Sequence, residues 1–202
     1  MYTISRDYRK EIVIEKSRFI CSLKKVHSEA EAQEFIKAVK KEFWDATHNC
    51  SAYIVDDLAQ RSSDDGEPSG TAGIPMLEVL RKNGLTETAA VVTRYFGGIK
   101  LGAGGLVRAY SHTSKIALQA AHIITMAECD VMSVDVDYSF YERMNNMLSD
   151  FSANIKDTMF ADNVKLAFSI KKDRVEPLQS KLTDVSNGRY NLKYIESEFA
   201  KV

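Results

Sequence analysis

The sequence predicts a mixed α and β fold in two parts, and three observations carry that expectation. Apolar residues make up 45% and charged residues 27% of the 202 residues, the balance of a folded globular chain. Two-residue and 3.6-residue apolar periods alternate, so strands and helices are interspersed along the chain. From about Cys129 the elements turn short and regular in the order βαββαβ, which is the ferredoxin-like arrangement. A chain of this length buries roughly 70% of its unfolded surface, enough to fold without a disulfide or a metal.

Each element has a local cause. Tyr8 to Glu15 alternates with Ile12 and Ile14 on one face, and Phe19, Cys21 and Leu23 alternate after it, giving two strands. From Ser28 the period changes. Ala32, Phe35, Ile36, Val39 and Phe43 fall at i, i+3, i+4, i+7 and i+11, the core stripe of an amphipathic helix. Cys50 to Val55 reads as a buried strand, and Asp57 to Gly70, without apolar periodicity, as a loop. Ile74, Leu77, Val79 and Leu80 predict a helix whose first turn accommodates Pro75. Thr88 to Phe96 is strand-like, and a helix follows from about Gly104 to Ala121.

In the second part, Met132, Val134, Val136 and Tyr138 alternate as a strand, and Phe140, Met144, Met147, Leu148 and Phe151 form a helix stripe. Asn154 to Phe160 and Val164 to Ile170 predict two strands turning at Ala161-Asp162-Asn163. Val175, Leu178, Leu182 and Val185 form another helix stripe, ended by Asn187-Gly188, and Tyr190, Leu192 and Tyr194 a closing strand. The change of texture puts a domain boundary near residues 129–132, dividing the chain into 1–130 and 131–202.

Composition excludes several functions. Lys plus Arg is 27 and Asp plus Glu is 28, a net charge of −1. That rules out a chain coated all over with basic charge, but not a local basic patch. No apolar run approaches the roughly 18 residues of a membrane helix. The N-terminal stretch, charged by Arg6 and Asp7, does not resemble a secretory signal. Cys21, Cys50 and Cys129 lie far apart with no C-x-x-C pair, which favours buried thiols in a reducing compartment over a disulfide framework or zinc site. A cytoplasmic protein with no cofactor and no membrane partner is expected.

Nine of the ten glycines lie between Gly66 and Gly105, and the search for function starts there. In SDDGEPSGTAG, Ser63 to Gly73, the carboxylates of Asp64, Asp65 and Glu67 are followed by Ser69, Gly70, Thr71 and Gly73 entering a helix. Hydroxyls and glycines at a helix start can leave N–H groups free to meet an anion. The carboxylates could bind a hard cation or serve as acid and base, or simply cap the turn while Ser69 or Thr71 caps the helix. The motif lacks the Gly-Lys-Ser/Thr of a P-loop and the alternating acids of an EF-hand.

The second motif, TRYFGGIKLGAGGLVRAY, runs from Thr93 to Tyr110. Gly97, Gly98, Gly102, Gly104 and Gly105 join a strand to a helix, with Arg94, Lys100 and Arg108 spaced through them. Such cationic glycine-rich junctions commonly hold phosphate. The spacing fits a dinucleotide fingerprint only loosely. On the following helix Arg108, His112, Lys115 and Gln119 recur at i, i+4, i+7 and i+11, a polar stripe with no acid. It is either an ordinary solvated face or a phosphate-binding one. Tyr95 and Phe96 are candidates for the core or for stacking on bases, as single-stranded RNA binding requires.

Histidines share no metal-ligand spacing. His48 before Cys50 is at most half of a zinc site. A Ser–His–acid set can be named from Ser69, His48 and Asp65, but no nucleophile elbow surrounds Ser69.

Taken with THNCSAYIV and the early KSRFI, the two glycine motifs resemble the IMPACT family and its bacterial YigZ-like members. The resemblance covers the whole chain. It implies an α+β N-terminal domain similar to the second domain of small ribosomal subunit proteins and to domain IV of elongation factor G. It implies a ferredoxin-like C-terminal domain similar to domain V of that factor. The resemblance implies that eukaryotic relatives regulate translation through protein contacts and carry a different extra domain, which is not expected in this chain. Some bacterial relatives carry a proline-dipeptidase label, for which no convincing metal-ligand set is present.

The expected function is therefore a translation-linked regulatory factor binding RNA or the ribosome, with a translation-regulatory protein as a further partner. Its binding residues would be Arg94, Tyr95, Gly97, Gly98, Lys100, Gly104, Gly105, Arg108, His112 and Lys115. The alternatives are a hydrolase of phosphate esters or peptides drawing on His48, Asp64, Asp65, Glu67 and Ser69, and a protein-interaction module whose glycines are structural. Charge separates the two motifs. Asp56 to Glu67 holds five acids and one Arg, net −4, and Arg81 to Lys115 holds six bases and one acid, net +5.

Overall fold

The computed structural model describes residues 1–201, which divide into two compact units, Met1–Thr125 and the residues from Met126 onward. In the first, the elements run β1 (Tyr2–Ile4), β2 (Tyr8–Ile14), β3 (Ser17–Lys25), α1 (Glu29–Glu42), β4 (His48–Ile54), β5 (Gln60–Ser63), α2 (Gly73–Lys82), β6 (Thr88–Tyr95) and α3 (Gly102–Ala121). The main sheet is antiparallel in the order β2-β3-β6-β4-β5. Strand alternation sorts its residues between two helical layers. Ala90 and Val92 of β6 face the same way as Phe19, Cys21, Cys50 and Ala52, and pack with α2 and α3. Ala89 and Tyr53 face the other way, against Ala32 of α1. Helix α1 starts where Ser28 accepts the Glu31 N–H at 3.2 Å and the Glu31 carboxylate accepts the His27 N–H at 2.8 Å, a reciprocal cap.

The second unit holds most of β7 (Ile123–Val136), then α4 (Tyr138–Asp150), β8 (Asn154–Phe160), β9 (Val164–Lys171), α5 (Val175–Ser186) and β10 (Lys193–Lys201). Its antiparallel order, β10-β7-β9-β8, is the ferredoxin-like one. Asn187 at φ 52° ends α5, and the Gly188 N–H returns to the Thr183 carbonyl at 2.9 Å. The chain is α+β in both units.

Four segments differ from the sequence expectation. Strand β7 begins at Ile123, well ahead of the expected Met132, because its first residues are mostly exposed or half-buried and carry no clear alternation, and Tyr138, expected in that strand, opens α4. Strand β5 lies inside the expected loop 57–70; it is an edge strand of sequence QRSS, mostly exposed, so it has no apolar alternation to reveal it. Strand β1 is three residues long and too short for a period. The closing strand is Lys193–Lys201, not 190–194. Tyr190 is buried with the unit's core and bonds Asp137 at 2.9 Å, so its apolar character reflects packing ahead of the strand.

Candidate functional site

The acidic motif and the strand that opens the basic one meet at a buried ion pair. Continuing the alternation of Ala90 and Val92, Arg94 points toward the α2–α3 layer, opposite Phe19 on β3 and His48 on β4. There its Nη1 donates to Glu67 Oε1 at 2.7 Å, with side chains only 6% and 3% exposed. The Tyr110 hydroxyl, brought in by α3, donates to the same oxygen at 2.8 Å. Arg94 also reaches Ser17 Oγ at 3.4 Å, and its guanidinium lies 5.4 Å from the Phe19 ring centroid and 5.5 Å from that of Phe96. Two charges are removed from water here, and their mutual attraction with the Tyr110 bond offsets that desolvation.

His48 and Cys50 border this pair. His48 Nδ1 lies 2.9 Å from the Asp65 carbonyl, an acceptor, so Nδ1 carries the proton. Its Nε2 is 3.8 Å from Glu67 Oε2, beyond hydrogen-bond range. The Cys50 thiol sits 2.9 Å from the Asp64 carbonyl and 3.3 Å from the Tyr110 oxygen. Burial pushes its pKa up to about 12, so it is no thiolate nucleophile at neutral pH. Burial likewise raises the Tyr110 hydroxyl, which stays protonated as a donor to Glu67.

The other two carboxylates of the motif hold the loop together. Asp64 accepts N–H bonds from Gly70 at 2.8 Å, Ala72 at 3.0 Å and Gly73 at 2.8 Å, capping α2 from upstream. Burial raises its pKa, but the bonds from Gly70, Gly73 and Ala72 outweigh that and leave it below the ordinary value. It is a poor general base. Asp65 pairs with Lys40 of α1 and accepts the Asn49 N–H at 2.7 Å. Asp64, and neither Ser69 nor Thr71, thus caps the helix. Ser69 is exposed with no side-chain hydrogen bond, and His48 meets the carbonyl of Asp65, not its carboxylate. A Ser69–His48–Asp65 triad is not assembled. Among the described residues, no group of three or more His, Cys, Asp and Glu side chains is placed to hold a metal ion.

The basic motif splits into a buried half and an exposed half. Arg94, expected to face phosphate, is instead neutralised inside. Tyr95 is half-buried, its hydroxyl donating to Asp45 at 2.8 Å and its ring under the Arg18 guanidinium at 5.1 Å. Gly97 serves its own chain, because a Cβ there would lie 2.0 Å from the Lys16 carbonyl carbon. A Cβ on Gly105 would lie 2.9 Å from Leu101 Cβ, while one on Gly104 would meet only the Arg108 guanidinium at 3.5 Å. Gly98 and Gly102 have positive φ and open space around them. Lys100, Arg108, His112 and Lys115 are exposed and line one groove of about 840 Å³ with an aliphatic floor that includes Ile14, Val79 and Val107.

Tyr110 and Lys40 entered the network without being singled out from sequence, while Cys50 reads there as a buried thiol and Ser17 only as part of KSRFI. One signal was available: Arg94 continues the core-facing register of Ala90 and Val92, and a buried arginine requires an acid. No helix among the described residues is long and apolar enough to cross a membrane.

Comparison with known proteins agrees with this architecture. The Impact N-terminal domain family matches residues 15–118, and a domain of unknown function (DUF1949) matches residues 134–189. IMPACT family member YvyE of Bacillus subtilis is 44% identical over 194 residues, covering 95% of this chain and 89% of that protein. IMPACT family member YigZ of Escherichia coli is 36% identical over 187 residues, covering 91% and 92%. A crystal structure of a hypothetical protein is similar with a TM-score of 0.58 at 33% identity, covering 96% of this chain and 97% of that one. Both glycine motifs and the Glu67–Arg94 pair fall within the matched residues 15–118, and the chain belongs to the IMPACT family.

Proposed function

We propose that this protein is a translation-linked regulatory factor that binds RNA, on the ribosome or free, through the exposed half of its basic glycine motif. The observation that carries this function is the groove rim. Lys100, Arg108, His112 and Lys115 border one groove, and none has an acid within ion-pair distance among the described residues. Glu15 is the one acid in its lining. Unpaired cations on a surface attract polyanions, and phosphate contacts make such binding salt-dependent. The start of α3 adds to this, having no side-chain cap and no acid in its first turn. Asp64, Asp65 and Glu67 are all engaged by the protein itself, which favours this reading over a hydrolase that would draw on them.

Binding of ribosomes and of a labelled ribosomal RNA fragment across a salt series tests the proposal. Affinity is expected to fall steeply with salt, and Arg108→Ala with Lys115→Ala should lower the log–log slope by roughly 1.5. Salt-insensitive binding, or a slope unchanged in the double variant, would overturn it.

A further inference from the structure

We infer that the nucleic acid this surface takes is an unpaired RNA strand rather than a duplex, with Phe96 as the platform on which a base stacks. The inference rests on the RNA-binding function proposed above and specifies its ligand. A smaller cavity of about 240 Å³, lined by Glu67, Arg94, Phe96, Lys100 and Leu101 among others, shares Lys100 and Leu101 with the groove of about 840 Å³; its one acid, Glu67, is held by Arg94 and Tyr110. Sharing these residues makes the two cavities neighbours, and we read them together as one track. Its chemistry changes along its length, from an aromatic ring to a cationic rim over an aliphatic floor.

Phe96 is 47% exposed, and its ring is backed by the Arg94 guanidinium at 5.5 Å. Buried and tied to Glu67, that cation is not available to phosphate. Ile99 and Val107, 38% and 37% exposed, carry the apolar surface onward between the cations. A duplex offers such a track only its phosphates, because its bases are stacked and paired inside, and the apolar floor would stay wet. An unpaired strand offers both partners at once: ring faces for Phe96 and the aliphatic floor, phosphates for Lys100, Arg108, His112 and Lys115. Gly98 and Gly102, with nothing within 4 Å of a Cβ position, leave room for the strand to approach the backbone, Gly102 in the lining of the smaller cavity. Tyr95 cannot take this role, since its hydroxyl is held by Asp45 and its ring is covered by Arg18.

The test uses the full chain and four labelled probes of equal length: a single-stranded RNA of mixed sequence, the same RNA annealed to its complement, the corresponding single-stranded DNA, and a polyglutamate peptide. The single strand is expected to bind at least roughly tenfold tighter than the duplex. Phe96→Ala should weaken the single strand by roughly 5- to 150-fold, the range of one stacked base, and leave the duplex nearly unchanged. Phe96→Tyr should restore binding, and a thermal melt of each variant separates lost stacking from lost folding. Duplex binding equal to or tighter than single-strand binding, or an equal loss on both for Phe96→Ala, would overturn this inference while leaving salt-dependent RNA binding intact. Polyglutamate binding as tightly as RNA would overturn it in favour of an acidic protein partner. Absence of salt-dependent binding to either RNA would remove the proposed function along with it.

Discussion

Replacing Glu67 by Gln converts the buried ion pair into a buried lone cation, and the cost follows from the burial of its partner. Gln retains an oxygen that can accept from both Arg94 and Tyr110, so the hydrogen bonds survive while the negative charge does not. Arg94 keeps its place, 6% exposed, with no other acid paired to it among the described residues. Breaking one side of such a pair costs about 3–5 kcal/mol, and the surviving hydrogen bonds put Glu67→Gln near the lower end. For a unit of this size that lowers the melting temperature by roughly 10 °C. Removing both charges should behave differently. Glu67→Leu with Arg94→Met leaves no buried charge, and Tyr110 can turn its hydroxyl to Cys50, already 3.3 Å away. The double variant should come back to within about 1.5 kcal/mol of the parent. The assay is urea and thermal unfolding by far-ultraviolet circular dichroism, because Trp44 is 81% exposed and its fluorescence reports little of the core. A Glu67→Gln variant as stable as the parent, or a double variant that loses the sum of the two single changes, would refute the argument that charge compensation holds this node together.

Two further predictions concern the glycine motifs. Asp64→Asn removes a carboxylate that takes three backbone N–H bonds and puts an NH₂ group against one of those donors, for a loss of about 2–3 kcal/mol at pH 7. Because the folded pKa of Asp64 is lowered, its contribution is present above the unfolded value and fades as pH falls below about 4. Urea unfolding at pH 7 and pH 3 should therefore show a gap between parent and variant that narrows in acid; a gap that widens contradicts it. Gly97→Ala puts a methyl 2.0 Å from the Lys16 carbonyl carbon and 2.4 Å from the Ser17 nitrogen, so the segment after β6 and the turn that opens β3 must part, at about 3 kcal/mol or more. Unchanged stability of Gly97→Ala would show that the β3–β6 approach is looser than described.

Much of the fold was legible because its elements bury one face. The α1 stripe, the β3 alternation and the α5 stripe each carry a period that only burial requires, and each element lies where its period places it. Strand β5 failed that test for the converse reason: an edge strand with little apolar surface has no face to hide. The candidate site was legible in residue type and not in pairing. Glu67 and Arg94 were both singled out, yet their contact spans 27 residues and Tyr110–Glu67 spans 43. The register of β6 places Arg94, and the packing of α3 and of the segment after β5 brings Tyr110 and Glu67 to it. The division of the basic motif into buried Arg94 and exposed Lys100, Arg108 and Lys115 was signalled only by Arg94 continuing the alternation of Ala90 and Val92, since charge alone counts all four cations alike.

The neighbouring side chains of Asp64 and Asp65 engage helices from opposite faces of one sheet. Asp64 holds the start of α2, which packs on the face of Ala90 and Val92, and Asp65 holds Lys40 of α1, which packs on the face of Ala89. A single peptide bond therefore works as a rivet through the sheet's edge. Neither helix can lift without pulling on the residue that secures the other, so local opening at this end should involve both layers. A protease cut between these two residues, leaving every other bond intact, would be expected to let the two faces breathe independently.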